Sequence, residues 1–166
     1  TAIITGSSRG IGAAIAKRLA KDGYNIVIND VSQEILDAAG KEVAEECRSF
    51  GVEAECYAAD VSDYAQCEGL VKWVKERFGT IDVLINNAGI TRDGLMVRMK
   101  EDQFDDVIRT NLKGAFNMLS LCGAMMMRAK QGRIINITSV SAFTGNYGQI
   151  NYTCLLYTSP SPRDAH

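Results

Sequence analysis

Short apolar runs alternate along the chain with longer stretches in which apolar residues return every three or four positions. Ala2-Ile3-Ile4 is the first run and ends in Thr5-Gly6. Ile11, Ile15 and Leu19 then recur at helical spacing, and Gly23 stands where a helix C-cap falls. Ile26-Val27-Ile28 opens a second strand, followed by a helical pattern from about Gln33 to Phe50 with Gly51 behind it. Val52 to Ala58 alternates apolar with acidic residues, as a strand with one wetter face does. Asp63 to Phe78 is helical again and is closed by Gly79. Ile81 to Ile85 and Arg133 to Ile137 are short branched runs of the kind buried on both faces. Between them, Glu101 to Arg128 reads as one long helix or two joined ones. The order is β-α-β-α-β-α-β-α-β, which predicts right-handed crossovers and a three-layer, doubly wound α/β fold on a parallel sheet ending at its fifth strand. The first strand has almost nothing before it, so the amino terminus is expected to be clipped.

Composition narrows the function classes. The 166 residues suit one domain, with 46% hydrophobic and 23% charged residues. A net charge of −2 gives no basic footprint for nucleic acid. No apolar run approaches the ~18 residues of a membrane span, and no signal peptide opens the chain. Five cysteines without a C-x-x-C pair fit a reducing compartment, so a cytoplasmic location is expected. The single histidine, His166, excludes a His-based triad and a multi-His metal site. It falls in the last seven positions together with both prolines, Pro160 and Pro162. Two prolines at i and i+2 each cost ~3 kcal/mol in a helix interior, so the segment from Leu155 to Pro162 is expected to hold no folded element.

The chemistry begins at the first strand–helix turn, Thr5-Gly6-Ser7-Ser8-Arg9-Gly10-Ile11-Gly12. Its glycines permit a tight turn and close approach to a pyrophosphate, at which the following helix aims its free N–H groups and dipole. Following a strand and opening a helix is the context a dinucleotide-binding turn requires. Asp30 ends the second strand, 18 residues beyond Gly12, where a carboxylate accepts the adenosine ribose hydroxyls and repels a 2′-phosphate. That position favours NAD. Arg9 argues for NADP, because a guanidinium in the turn could pair with the phosphate. Met125-Met126-Met127 reads as packing.

Thr5-Gly6-x-x-x-Gly10-x-Gly12, Asn86-Asn87-Ala88-Gly89, Asn111, Ser139 and Tyr152, in that order, resemble the short-chain dehydrogenase/reductase family. Within it, Gly89 to Met96, Arg98-Met99-Lys100 and Gly145 to Gln149 are similar to the 3-oxoacyl-(acyl-carrier-protein) reductases of bacterial fatty-acid synthesis. The resemblance runs from Thr1 to about Thr153. It implies a Rossmann fold in which Gly6, Ser8, Arg9, Gly10, Ile11, Gly12 and Asp30 bind NADP or NAD. It also implies that Asp60 and Val61 lie against the adenine, and that Asn86, Asn87, Ala88 and Gly89 line the cofactor. Ser139 would hold the ketone oxygen, Tyr152 would act as general acid, and Asn111 would hold a water in a proton relay. Ser141 is a rival for Ser139, and the family spacing of 13 residues to the tyrosine selects Ser139. The implied substrate is a 3-oxoacyl thioester on acyl carrier protein or CoA, and the implied assembly is a homotetramer. Arg128 and Lys130 lie where those reductases carry basic residues that receive the acidic carrier; a solvated helix end is the other reading.

One departure stands out. The family has a lysine four residues after the tyrosine, and this chain has Leu156. From Cys154 the sequence is similar to the translation of a transposon-end sequencing adapter. The expected division is therefore a partial dinucleotide-binding domain over 1–153 and a non-native, disordered tail over 154–166. On that reading the chain itself lacks activity, because it lacks both that lysine and the later elements that cover the substrate in the family, and its fifth strand is expected to become an apolar sheet edge. The alternatives are a dehydrogenase for another ketone or alcohol, such as acetoacetyl-CoA, a steroid or a sugar, and a catalytically silent dinucleotide-binding module.

Overall fold

In the computed structural model, residues 1–157 are described. Five strands, β1 (Ala2–Ile4), β2 (Ile26–Asp30), β3 (Ala54–Ala58), β4 (Val83–Asn86) and β5 (Arg133–Asn136), form one sheet in the order β3-β2-β1-β4-β5. Every pairing is parallel, with Ile3 in register with Val27 on one side and Leu84 on the other. The order reverses between β1 and β4, and in such sheets ligands bind beyond the carboxyl ends of the strands at the reversal.

Both faces of the sheet are covered, as the alternating pattern requires. On one face, Ile4, Ile26 and Ile28 pack against Ala13, Ala16 and Ala20 of α1 (Gly10–Lys21) and Val43, Ala44 and Cys47 of α3 (Lys41–Arg48). On the other, Ile3, Val27 and Leu84 meet Leu70, Val71 and Val74 of α4 (Tyr64–Phe78) and Met118, Cys122 and Met126 of α6 (Gly114–Ala129). The small alanines of α1 let that helix lie close over the strands. Full burial of each branched side chain contributes roughly 1.5–3 kcal/mol, which makes these two layers the chief source of stability.

The helical pattern from Gln33 resolves into α2 (Gln33–Ile35), a π-helical turn over Leu36–Gly40, and α3. The second long pattern is a continuous run: α5 (Glu101–Val107), a π-helical turn over Ile108–Lys113, and α6. The "one long or two joined" alternatives thus meet in two α-helices fused through a wider turn. One expectation is corrected at β5. It is an edge of the sheet, as expected, but Ile135 remains 49% exposed, so this branched run is not buried on both faces, in contrast to β4.

Beyond β5 come α7 (Ser141–Thr144) and α8 (Ile150–Tyr157). Helix α8 continues into the segment expected to hold no element. Pro160 and Pro162 come after its last residue, Tyr157, so neither removes a donor from within it. The remainder of that segment, 158–166, and with it the expectation of a disordered tail there, lies outside the described residues. No described helix is long and apolar enough to cross a membrane.

Candidate active site at the carboxyl ends of β1, β4 and β5

The glycine-rich turn needs its glycines for two different reasons. Gly6 and Gly10 take φ of +61° and +58°, the left-handed region that side chains disfavour. Gly12 needs space instead: a Cβ there would lie 2.6 Å from both Asn87 Nδ2 and the Gly6 carbonyl. The turn is fastened to β4 and β2. The Thr5 hydroxyl accepts the N–H groups of Asn87 (3.0 Å) and Ala88 (2.9 Å), and Asn87 Nδ2 donates to the carbonyls of Thr5 (2.8 Å) and Gly6 (3.0 Å). On the β2 side, Ser7 N–H donates to the Asn29 carbonyl at 2.8 Å, and Asn29 N–H donates to Ser7 Oγ at 3.2 Å.

A cavity of about 950 Å³ opens above this turn. Gly6, Arg9, Ile11, Gly12, Asp30, Asp60, Val61, Asn87, Ala88 and Gly89 all line it. Ile11, 66% exposed, offers an apolar surface at its floor. Ser8 and Gly10 are not on the wall. Ser8 is only 2% exposed and stands behind Asp30, to whose carboxylate its hydroxyl donates. The other Asp30 oxygen accepts Val31 N–H at 2.9 Å. Asp60 turns its carboxylate back onto Ser62 N–H at 2.8 Å, which shapes the loop entering α4. Under that loop, Cys67 donates its thiol to the Val61 carbonyl at 3.2 Å. Burial, helped by Asp60 and Asp63, pushes this thiol up to about 11, and burial pushes Cys122 to about 12. Both therefore stay protonated near neutrality and serve as packing groups.

A second cavity, about 520 Å³, shares Ile11, Val61 and Asn87 to Ile90 with the first and extends toward β5. Asn111, Ser139 and Tyr152 line it together, although they come from the π-helical turn, the end of β5 and α8. Ser141 does not line it. Instead its N–H and its hydroxyl each pair with Ser139 Oγ at 3.3 Å, contacts long enough to leave the Ser139 hydroxyl free to turn. Asn111 is committed to the main chain: its Oδ1 accepts Ile90 N–H at 2.8 Å and its Nδ2 donates to the Ile90 carbonyl at 3.0 Å. This side chain therefore pins the Asn87–Ile90 loop to the π-helical turn, a role the sequence reading did not assign. Tyr152 sits in the first turn of α8, which Asn151 holds by donating to the carbonyls of Arg92 (3.1 Å) and Gln103 (3.3 Å). Position 156 lies one helical turn further on, on the face of Tyr152.

The bonds that several asparagines make escaped the sequence reading, although Asn86 stands in the motif after the fourth strand. Asn29 donates to the carbonyls of Tyr57 and Ala59, both at 3.1 Å, and so ties β2 to the loop that carries Asp60. Asn86 donates to Asn136 Oδ1 at 2.8 Å across the β4–β5 pair, and buried Asn117 donates to the Val61 carbonyl at 2.9 Å. The available signal was positional: Asn29, Asn86 and Asn136 each stand at or next to the last place of a strand, at the ligand-facing rim of the sheet.

A glycine turn opening a helix, an acidic residue closing β2, and Ser139, Tyr152 and Asn111 in the adjoining cavity thus lie together at the sheet's reversal point. The family model of the short chain dehydrogenases matches residues 1–154, and the chain belongs to that family. Its curated relatives include two proteins named 3-oxoacyl-(acyl-carrier-protein) reductase FabG. The one from Staphylococcus aureus is 47% identical over 153 residues, covering 92% of this chain and 61% of the relative. The one from Thermotoga maritima is 41% identical over 150 residues, covering 90% and 59%. A crystal structure from Sinorhizobium meliloti 1021, whose description names a short-chain alcohol dehydrogenase, matches with a TM-score of 0.88 and 31% identity, over 94% of this chain and 60% of that one. The chain spans about three fifths of the length of these relatives.

Proposed function

We propose that the protein is an NAD(P)H-dependent reductase of 3-oxoacyl thioesters, carried on acyl carrier protein or CoA, and that it forms the 3-hydroxyacyl thioester. The observation that carries this reading is the convergence of Ser139, Tyr152 and Asn111 on a cavity continuous with the glycine-turn cleft. The dinucleotide fits the residues present. Gly12 lets the turn close tightly beneath the cavity, since a Cβ there would strike the Gly6 carbonyl and Asn87 Nδ2; Ile11 offers an apolar surface, and Asp30 lines the cavity at the end of β2. Gly6 to Gly12 would hold the pyrophosphate, Asp30 the adenosine ribose, Asp60 and Val61 the adenine, and Asn87 to Gly89 the nicotinamide side. When bound, the reduced nicotinamide supplies the hydride.

The chain's own part is to orient the ketone and manage one proton. Ser139 donates to the ketone oxygen and holds it in the cavity. Tyr152 donates its phenolic proton to the same oxygen as negative charge develops there. A free phenol has a pKa of ~10, so this transfer near neutrality calls for a neighbouring cation. Leu156 brings none, and the later elements that would cover the substrate fall in the two fifths of the relatives' length that the chain does not span, so the chain as it stands is inactive in this reading. Its first cavity remains competent to bind. The complete enzyme would be a cytoplasmic homotetramer. Leu156 also favours one rival, a dinucleotide-binding module without catalysis.

Nicotinamide fluorescence with NADH and NADPH, followed by oxidation of either in the presence of acetoacetyl-CoA, tests these readings. The chain is expected to bind a dinucleotide without measurable turnover, and Leu156→Lys is expected to raise turnover at least about tenfold. Loss of dinucleotide binding overturns the proposal; binding with no turnover in Leu156→Lys supports the silent module.

A further inference from the structure

The corner where β2 ends contains a contact that the motif reading did not foresee. The family resemblance places Ser8 among the cofactor-binding residues, yet it is 2% exposed and does not line the cavity. Its hydroxyl donates to one oxygen of Asp30, while the other oxygen accepts Val31 N–H. A carboxylate offers about four lone-pair sites. With two of them engaged from behind, the two that remain match a vicinal pair of hydroxyl donors.

Ser8 is itself held from moving away. Its neighbour Ser7 donates its hydroxyl to the Ile4 carbonyl at 2.7 Å and exchanges hydrogen bonds with the main chain of Asn29. Residues 7 and 8 are thus bolted to the end of β2 at successive positions. Arg9, the next residue, lines the same cavity as an exposed side chain and forms no ion pair among the described residues. The corner therefore contains the parts of two opposed sites. In one, Ser8 serves Asp30 and a ribose diol. In the other, with Asp30 removed, the Ser8 hydroxyl and the Arg9 guanidinium would both be free for a 2′-phosphate.

We propose that Ser8 is a positioning residue: it aims the Asp30 carboxylate and thereby sets the preference for a dinucleotide with a free 2′-hydroxyl. The proposal rests on the dinucleotide reading given above and names which form the cleft selects. Its signature is a reversal of sign. Where Asp30 is present, removing the Ser8 hydroxyl weakens NADH; where Asp30 is absent, the same change weakens NADPH.

Isothermal titration calorimetry of NADH and NADPH against the chain, Ser8→Ala, Asp30→Ala and the double variant reads this directly, without turnover. Ser8→Ala is expected to lower NADH affinity about fivefold and NADPH affinity less than twofold. Asp30→Ala alone is expected to shift the NADPH/NADH affinity ratio at least tenfold toward NADPH. Adding Ser8→Ala to Asp30→Ala then lowers NADPH about fivefold and leaves NADH unchanged. Circular dichroism melts establish that each variant is folded, and Asp30→Ala alone still decides the ratio if Ser8→Ala does not fold. Equal losses of both cofactors in both backgrounds, or an unshifted ratio in Asp30→Ala, overturn the positioning role while leaving the dinucleotide reading intact. A chain that takes up neither cofactor overturns both.

Discussion

The two cavities of the cleft are built to different standards. The first stands on β1, β2 and β4, whose side chains are almost wholly buried, and its loops are stitched to one another by Thr5, Ser7, Asn29 and Asn87. The second borrows that wall but completes itself with β5, α7 and α8. There Ile135 and Val140 are exposed, and Tyr147 is 87% exposed. The loop before α8 is held mainly by polar contacts to the 92–103 segment, such as Gln149 to Asp93 at 3.0 Å and Gly94 N–H to the Gly148 carbonyl at 2.8 Å. In the proposed function, binding would thus be rooted at the centre of the sheet, and proton transfer at its edge. A single site can consequently lose one capacity and keep the other.

Breaking the central half should have the largest effect. Gly12→Val drives a Cβ against the Gly6 carbonyl and Asn87 Nδ2, groups that cannot withdraw without opening the turn. It is expected to cost about 3 kcal/mol in urea unfolding and to abolish NADH fluorescence enhancement. Asn87→Ala is gentler: it leaves the Thr5 and Gly6 carbonyls without their side-chain donor and should cost about 2 kcal/mol by the same measurement. If the central half is one unit, this change also weakens NADH binding; an unchanged affinity would separate the loop from the turn. The smallest effect belongs to the edge. Ile135→Lys should change stability by about 1 kcal/mol or less, because the side chain is already half exposed. It should nevertheless reduce self-association in light scattering at high protein concentration, since a charge blunts an apolar edge strand.

The sheet and its order of elements were legible because strands buried on both faces leave uninterrupted branched runs, as in Ile26-Val27-Ile28 and Val83-Leu84-Ile85. Edge status was legible in the count of strands, which left the fifth without an outer neighbour, but not in composition. Arg133 to Ile137 has the same composition as a central strand. The residues gathered on the two cavities were largely readable from glycine spacing and motif order. What those side chains touch was not. Asn111 reads as a polar residue within a helix, and its bond to Ile90 depends on a contact between residues 21 apart in sequence. Ser8 reads as a turn residue, and only the fold brings its hydroxyl onto Asp30. The π-helical turns are equally silent in periodicity, because one wide turn slips the pattern by about a single position, which a short run does not distinguish from ordinary variation in its apolar face.

Thr5 carries one more implication. Its hydroxyl collects two N–H groups from the loop after β4 and passes its own proton to the Ile85 carbonyl at 3.4 Å. The floor of the cleft is therefore assembled before any ligand arrives, and a ligand settling on it has little backbone left to freeze. The entropic cost of association falls mainly on the ligand's own torsions and on exposed side chains such as Arg9. The heat-capacity change on binding should then follow the apolar area covered at Ile11 and its neighbours, without the larger contribution that coupled folding would add.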